Sequence, residues 1–109
     1  MKDSNIYIPL WHKYKSAIVT KLIQSLLEPQ EYQLFKHEFE DIGDRTSAGY
    51  SFNLEIENGN VKNNIVGNAV ARDLFEVLKN SSTAKELMNE NYFKINFTTD
   101  FILKIVTIK

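Results

Sequence analysis

The densest group of residues able to do chemistry lies in the segment 37–44. It holds one histidine and four acids: His37, Glu38, Glu40, Asp41 and Asp44. Carboxylates and imidazoles bind metal ions, so this composition suits a hard cation. If the segment is a strand, His37, Phe39 and Asp41 share one face. Glu38 and Glu40 then share the other face, and the carboxylates do not converge. The sequence therefore predicts a solvated edge, with no metal and no other cofactor.

Catalysis would need a base beside a nucleophile, and the two histidines offer no such arrangement. His12 falls in a predicted helix and His37 in a predicted strand. Neither a Gly-x-Ser-x-Gly elbow nor a glycine-rich phosphate loop occurs. The chain has no cysteine, so it has no thiol nucleophile and no thiolate zinc site. We expect a protein that is not an enzyme.

Three lysines near the start of the chain suggest a different chemistry. Lys13, Lys15 and Lys21 lie close to Trp11 and Tyr14, and cationic groups beside aromatic rings bind single-stranded nucleic acids. The two aromatic residues also fall on the apolar stripe of a helix, where they belong to a core. Nucleic-acid binding through these lysines is therefore the alternative function.

Composition limits the class of protein. A chain of 109 residues with 43% hydrophobic residues predicts one globular domain, residues 1–109. The absence of disulfides favours the cytoplasm, and lysines interrupt the apolar stretch 6–27, so no membrane span is predicted. The net charge is −1, but the segment 28–57 carries eight acids against two bases. Such a balance disfavours a polyanionic partner.

Apolar periodicity predicts the elements of the first half. Residues at three- and four-residue steps predict a first helix over about 9–27, with Pro9 in its first turn and Pro29 after its end. The segment 31–40 is predicted to be a strand, with a short helix as the alternative. The polar segment 41–49 is predicted to be a loop.

A hairpin and a helix follow. Tyr50, Phe52, Leu54 and Ile56 alternate with polar residues, which predicts a strand over 50–57 with these four on its buried face. The pair Asn58-Gly59 suits a type I′ turn, so a second strand is expected over 60–66. The period then changes to that of a helix over 69–79, capped near Asn68.

The remaining elements are a short helix over about 83–89 and strands over 92–97 and 101–108. Phe101, Leu103 and Ile105 are expected in the core, with alternate residues on the opposite face. The predicted fold is α+β, with an antiparallel sheet of about five strands and two main helices on one face. The predicted order is α-β-β-β-α-α-β-β.

The order helix, three strands, helix over about two-thirds of the chain resembles the topology of double-stranded RNA-binding domains. That resemblance would imply a lysine cluster at the start of the later helix, where phosphates are bound. In this sequence the segment 67–72 has Arg72 as its one basic residue. The likeness is one of topology and assigns no family.

These patterns favour a small non-catalytic domain that binds another protein or a second copy of itself. Two surfaces are candidates. One is the predicted loop with Asp41, Asp44 and Arg45. The other is the outer face of the last strand: Ile102, Val106 and Ile108. A small-molecule site between sheet and helices is the third possibility.

Overall fold

The computed structural model describes residues 3–9, 20, 22, 24, 26–89, 92–98 and 102–108, with the backbone alone for 3–9, 107 and 108. The strands are β1 (Asp3–Pro9), β2 (Phe52–Glu57), β3 (Asn60–Val61), β4 (Tyr92–Phe97) and β5 (Ile102–Ile108). The helices are α1 (Tyr32–Ser47), α2 (Ala69–Lys79) and α3 (Ser82–Met88). A 3₁₀ turn over Pro29–Glu31 precedes α1.

The five strands form one antiparallel sheet in the order β1-β5-β4-β2-β3. The first and last strands along the chain are neighbours, and Asp3 pairs with Ile108 while Pro9 pairs with Ile102. The short β3 lies at one edge and β1 at the other. The predicted α+β class with an antiparallel sheet is confirmed.

One face of the sheet carries the core. Alternate residues of β2, β4 and β5 are buried there: Phe52, Leu54, Ile56, Phe93, Ile95, Phe97, Leu103 and Ile105. Leu74 and Leu78 of α2 belong to the same cluster. The helical residues Leu22 and Leu26, from the first predicted helix, are also part of it. Helices therefore cover this face, as predicted.

The segment 31–40 is helical, so the prediction of a strand was wrong and its alternative was right. The stripe of α1 is made by Tyr32, Phe35, Phe39, Ile42 and Thr46, at steps of three and four residues. Phe39 and Ile42 are fully buried. The predicted loop 41–49 was also wrong, because α1 continues to Ser47. The order helix, three strands, helix is therefore not that of this chain.

The hairpin has its predicted turn but a shorter second strand. Asn58 and Gly59 have φ angles of 50° and 84°, as a type I′ turn requires. Strand β3 ends at Val61 instead of residue 66. Tyr50 was predicted on the buried face, yet it precedes β2 and is 62% exposed.

The first strand was not predicted. Pro9 ends β1 instead of opening a helix. Thr20, Leu22, Gln24 and Leu26 are helical, in agreement with the first predicted helix, and its residues 10–19, 21, 23 and 25 lie outside the described part. No helix in the described ranges is long and apolar enough to cross a membrane.

Helices α2 and α3 have the predicted kind of start. The side chain of Asn68 accepts a hydrogen bond from the N–H of Ala71 and so caps α2. Ser81 does the same for Ala84, so α3 begins one residue before the predicted position. The strands 92–97 and 102–108 agree with the prediction to within one residue.

Candidate interaction surface

The face of the sheet opposite the helices carries alternate residues that are half-buried instead of buried. We call it the open face and define it by the side chains of Asn53, Glu55, Tyr92, Lys94, Asn96, Ile102, Lys104 and Val106. Two rows cross it. Asn53 pairs with Asn96, which pairs with Lys104. Glu55 pairs with Lys94, which pairs with Val106.

The part of the open face on β2 and β4 is polar, and two of its side chains are bonded to each other. The hydroxyl of Tyr92 donates a hydrogen bond of 2.6 Å to Oε1 of Glu55. Burial and this carboxylate raise the pKa of Tyr92 to about 12. Lys94 lies directly opposite Glu55, so opposite charges face each other across the two strands. Oδ1 of Asn53 is buried with no hydrogen-bond partner in the described part of the chain, so this half of the face keeps one unsatisfied acceptor.

The part of the open face on β5 is more apolar. Ile102 and Val106 are half-buried there, on either side of Lys104. They alternate with the buried Leu103 and Ile105, which confirms the predicted alternation. Phe101 and the side chain of Ile108 lie outside the described part. Since β5 is next to β1, the apolar residues lie on the side of the sheet that ends in β1.

The edge formed by β2 and β3 is closed by asparagine side chains. Beyond β3, Oδ1 of Asn63 accepts from the N–H of Glu55 at 2.9 Å, and its Nδ2 donates to the carbonyl of Asn53 at 2.8 Å. One carboxamide thus replaces a peptide group in the ladder. Further along, Nδ2 of Asn68 donates to the carbonyl of Ser51 at 3.1 Å. These bonds occupy backbone groups that an incoming strand would need.

The opposite edge has no such cover in the described ranges. Strand β1 pairs with β5 on one side and is the last strand of the sheet on the other. Its seven residues contain one charge, Asp3. Natural sheets protect their edges with charges, bulges or covering segments, and an unprotected edge is a template for another strand.

The other predicted interaction residues lie on α1, in the helix layer. Nη2 of Arg45 binds Asp41 at 2.7 Å on its own helix and Asp73 of α2 at 2.8 Å. Its Nε is buried with no partner in the described part of the chain. Arg45 therefore joins two helices, while Asp41 and Asp44 are exposed on α1. The structure does not bring these residues together with Ile102 and Val106, which lie across the sheet.

A cavity of about 480 Å³ opens beside Arg45, between the end of α1 and the start of α2. Tyr50, Ser51 and residues 67–70 line the rest of it. A neighbouring cavity of about 360 Å³ shares Ser51 and Asn68 with it. Because two carboxylates already balance the charge of Arg45, this cavity offers little attraction to an anion. The small-molecule site stays a prediction.

Glu31 is a buried acid that the sequence analysis missed. Its Oε2 accepts hydrogen bonds from Ser81 Oγ at 3.0 Å and Ser82 Oγ at 3.4 Å, and its Oε1 accepts one from the N–H of Glu28. Burial raises the pKa of Glu31, but bonds from Thr83, Glu28 and Ser81 outweigh this effect and hold the pKa below its usual 4.5. The carboxylate fastens the start of α1 to the start of α3.

The residues considered for chemistry are dispersed. The side chain of His37 is 98% exposed on α1, and its Nδ1 lies 3.9 Å from Oε1 of Glu40. No cluster of three or more possible metal ligands occurs among the residues that the structure describes. His12, Lys13, Lys15 and Lys21 lie outside them. Neither the catalytic nor the nucleic-acid prediction is tested at these positions.

Comparison with known proteins adds no family. No protein-family model, curated protein or solved structure matches this chain.

Proposed function

We propose that this chain is a small non-catalytic interaction domain of the cytoplasm that associates with a second copy of itself. The association uses what we call the β5 side of the sheet, where two surfaces are available: the outer edge of β1, and the face that carries Ile102 and Val106. The observation that carries the proposal is the contrast between the two sides of the sheet. The β2 side is polar and asparagine side chains bind its edge, whereas the β5 side combines apolar residues with an edge that no described residue covers.

The core supports a partner on this side. The buried residues of β2, β4 and β5 already pack under the helices, so Ile102 and Val106 are not needed to complete that core. A second chain stabilises this side either by pairing with the main-chain groups of the edge or by covering the half-buried apolar side chains of the face. A second copy fits this requirement because the same surface is present on both chains and an isologous contact closes on itself.

The measurement is the molecular mass in solution as a function of protein concentration. We expect sedimentation equilibrium to report a reversible dimer whose affinity is equal or higher at high ionic strength, because apolar burial and backbone pairing are not screened by salt. A monomer at every attainable concentration would overturn the proposal. A dimer that salt dissociates would assign the contact to charged residues instead.

A further inference from the structure

We infer that the two copies join edge to edge, with β1 of one chain antiparallel to β1 of the other about Ile6. The inference rests on the proposed self-association and specifies its geometry. The two five-stranded sheets then become one continuous sheet, with both helix layers on the same side. Main-chain hydrogen bonds along β1 hold the pair, as in other strand additions to a free edge.

The choice of edge follows from the backbone. On the β2 side, Asn63 and Asn68 occupy the groups of residues 51, 53 and 55 that a new strand would use. On the other side, the outer N–H and C=O groups of β1 have no partner among the described residues. The open edge is seven residues long, which is the length of an ordinary strand.

The register follows from symmetry and charge. A slip by one residue would turn one helix layer to the opposite side of the joined sheet. A two-fold axis that places a residue opposite its own copy keeps both helix layers on the same side. Among such axes, the one at Ile6 pairs all seven positions of β1. Asp3 then lies opposite Pro9, so no like charges meet. Asn5 lies opposite Tyr7.

Disulfide cross-linking tests this register, and the chain has no cysteine of its own. Directly opposite Cα atoms are about 4.5–5.5 Å apart, within the range that a disulfide spans. In this register the two copies of Asn5 are displaced by two positions along the strands. Their Cα atoms are then farther apart than the limit of about 7 Å for a disulfide. An equal mixture of the Asn5→Cys and Tyr7→Cys proteins should therefore oxidise to a mixed dimer, while each alone should remain largely uncross-linked.

Controls separate this inference from the proposed function. Asn60→Cys, on the opposite edge, should not cross-link, and both test variants should keep a cooperative thermal transition. If either does not fold, Asp3→Cys with Pro9→Cys tests the same register. The β1 pairing would be overturned if the single variants cross-linked as well as the mixture does, or if the mixture did not cross-link at all.

A face-to-face contact is the competing geometry. In the edge-to-edge dimer Val106 is separated from the second copy by a full strand, so Val106→Lys should leave the dimer affinity nearly unchanged. Val66→Lys, at a site that is 77% exposed and distant from β1 in the chain, is its matched control. If Val106→Lys alone abolished the dimer, the second copy would bind the open face. The inferred β1 pairing would then be wrong, while the proposed self-association would remain.

Discussion

At the scale of single residues, the carboxylate of Glu31 joins two segments of the chain through hydrogen bonds. It is 8% exposed, and it accepts hydrogen bonds from two segments far apart in the chain. Since the folded pKa is below the usual 4.5, the charged form is the one that the fold stabilises. That stabilisation is fully present above the pKa of the unfolded chain, and it is lost as pH falls through the folded pKa.

We predict that Glu31→Gln lowers the free energy of unfolding at neutral pH by about 1–2 kcal/mol, because charge-assisted bonds to Ser81 and Thr83 are weakened. The difference from wild type should shrink below about pH 4.5. Urea unfolding across acid and neutral pH measures both effects. Glu86→Gln, at an exposed site on α3, should change little. A difference that grew in acid would contradict this role.

At the scale of elements, β5 is the strand on which the sheet depends. It lies between β1 and β4 and contributes the buried Leu103 and Ile105. Each such side chain contributes roughly 1.5–3 kcal/mol on burial, while a domain of this size has about 5–15 kcal/mol in total. Loss of β5 also leaves β1 without its place in the sheet.

We therefore predict that truncation after Asp100 abolishes the cooperative thermal transition. Circular dichroism during heating is the measurement. The full-length variant Lys104→Ala, which changes a half-buried residue of the same strand, should melt close to wild type. If the truncated chain still melted cooperatively, β5 would not be required for the fold.

Elements with a local signal could be predicted from the sequence. Helix α2 has both a period and a capping Asn68, and the β2–β3 turn has Asn58-Gly59. Helix α1 was predicted only as the alternative to a strand because the segment 31–40 fits both periods, and its stripe becomes clear only when Ile42 and Thr46 are included. Strand β1 was missed because its partner is at the other end of the sequence.

The same distinction applies to the candidate surface. The alternation of β5 predicted that Ile102 and Val106 share a face, because a period of two is a local property. The bond between Arg45 and Asp73 joins two helices and has no local signature. The closure of the β2 edge by Asn63 was equally beyond the sequence, since one carboxamide of many becomes a ladder partner.

At the scale of the whole molecule, charge argues against the alternative function. The net charge is −1 and the chain has 13 basic against 14 acidic residues. Affinity for a nucleic acid depends on the number of phosphates that basic groups neutralise. We predict no binding of single-stranded or duplex oligonucleotides tighter than about 10⁻⁴ M at physiological salt.

Fluorescence anisotropy with labelled oligonucleotides checks this prediction, and Lys13→Glu with Lys15→Glu serves as the comparison. We expect the double variant to behave like wild type. Micromolar affinity that fell steeply with salt and vanished in the double variant would restore the nucleic-acid function.

The closure of the β2 edge by Asn63 also depends on a side chain that can be hydrolysed over time. Hydrolysis of the carboxamide releases ammonia and leaves a carboxylate, so the N–H that binds the carbonyl of Asn53 becomes an oxygen that repels it. Loss of this bond would free the carbonyl of Asn53 on the β2 edge, while Asn68 would still hold the carbonyl of Ser51. If β1 pairs with a second copy as inferred, a molecule that also paired through the β2 edge would not stop at two copies, and its assembly would be an open-ended fibre.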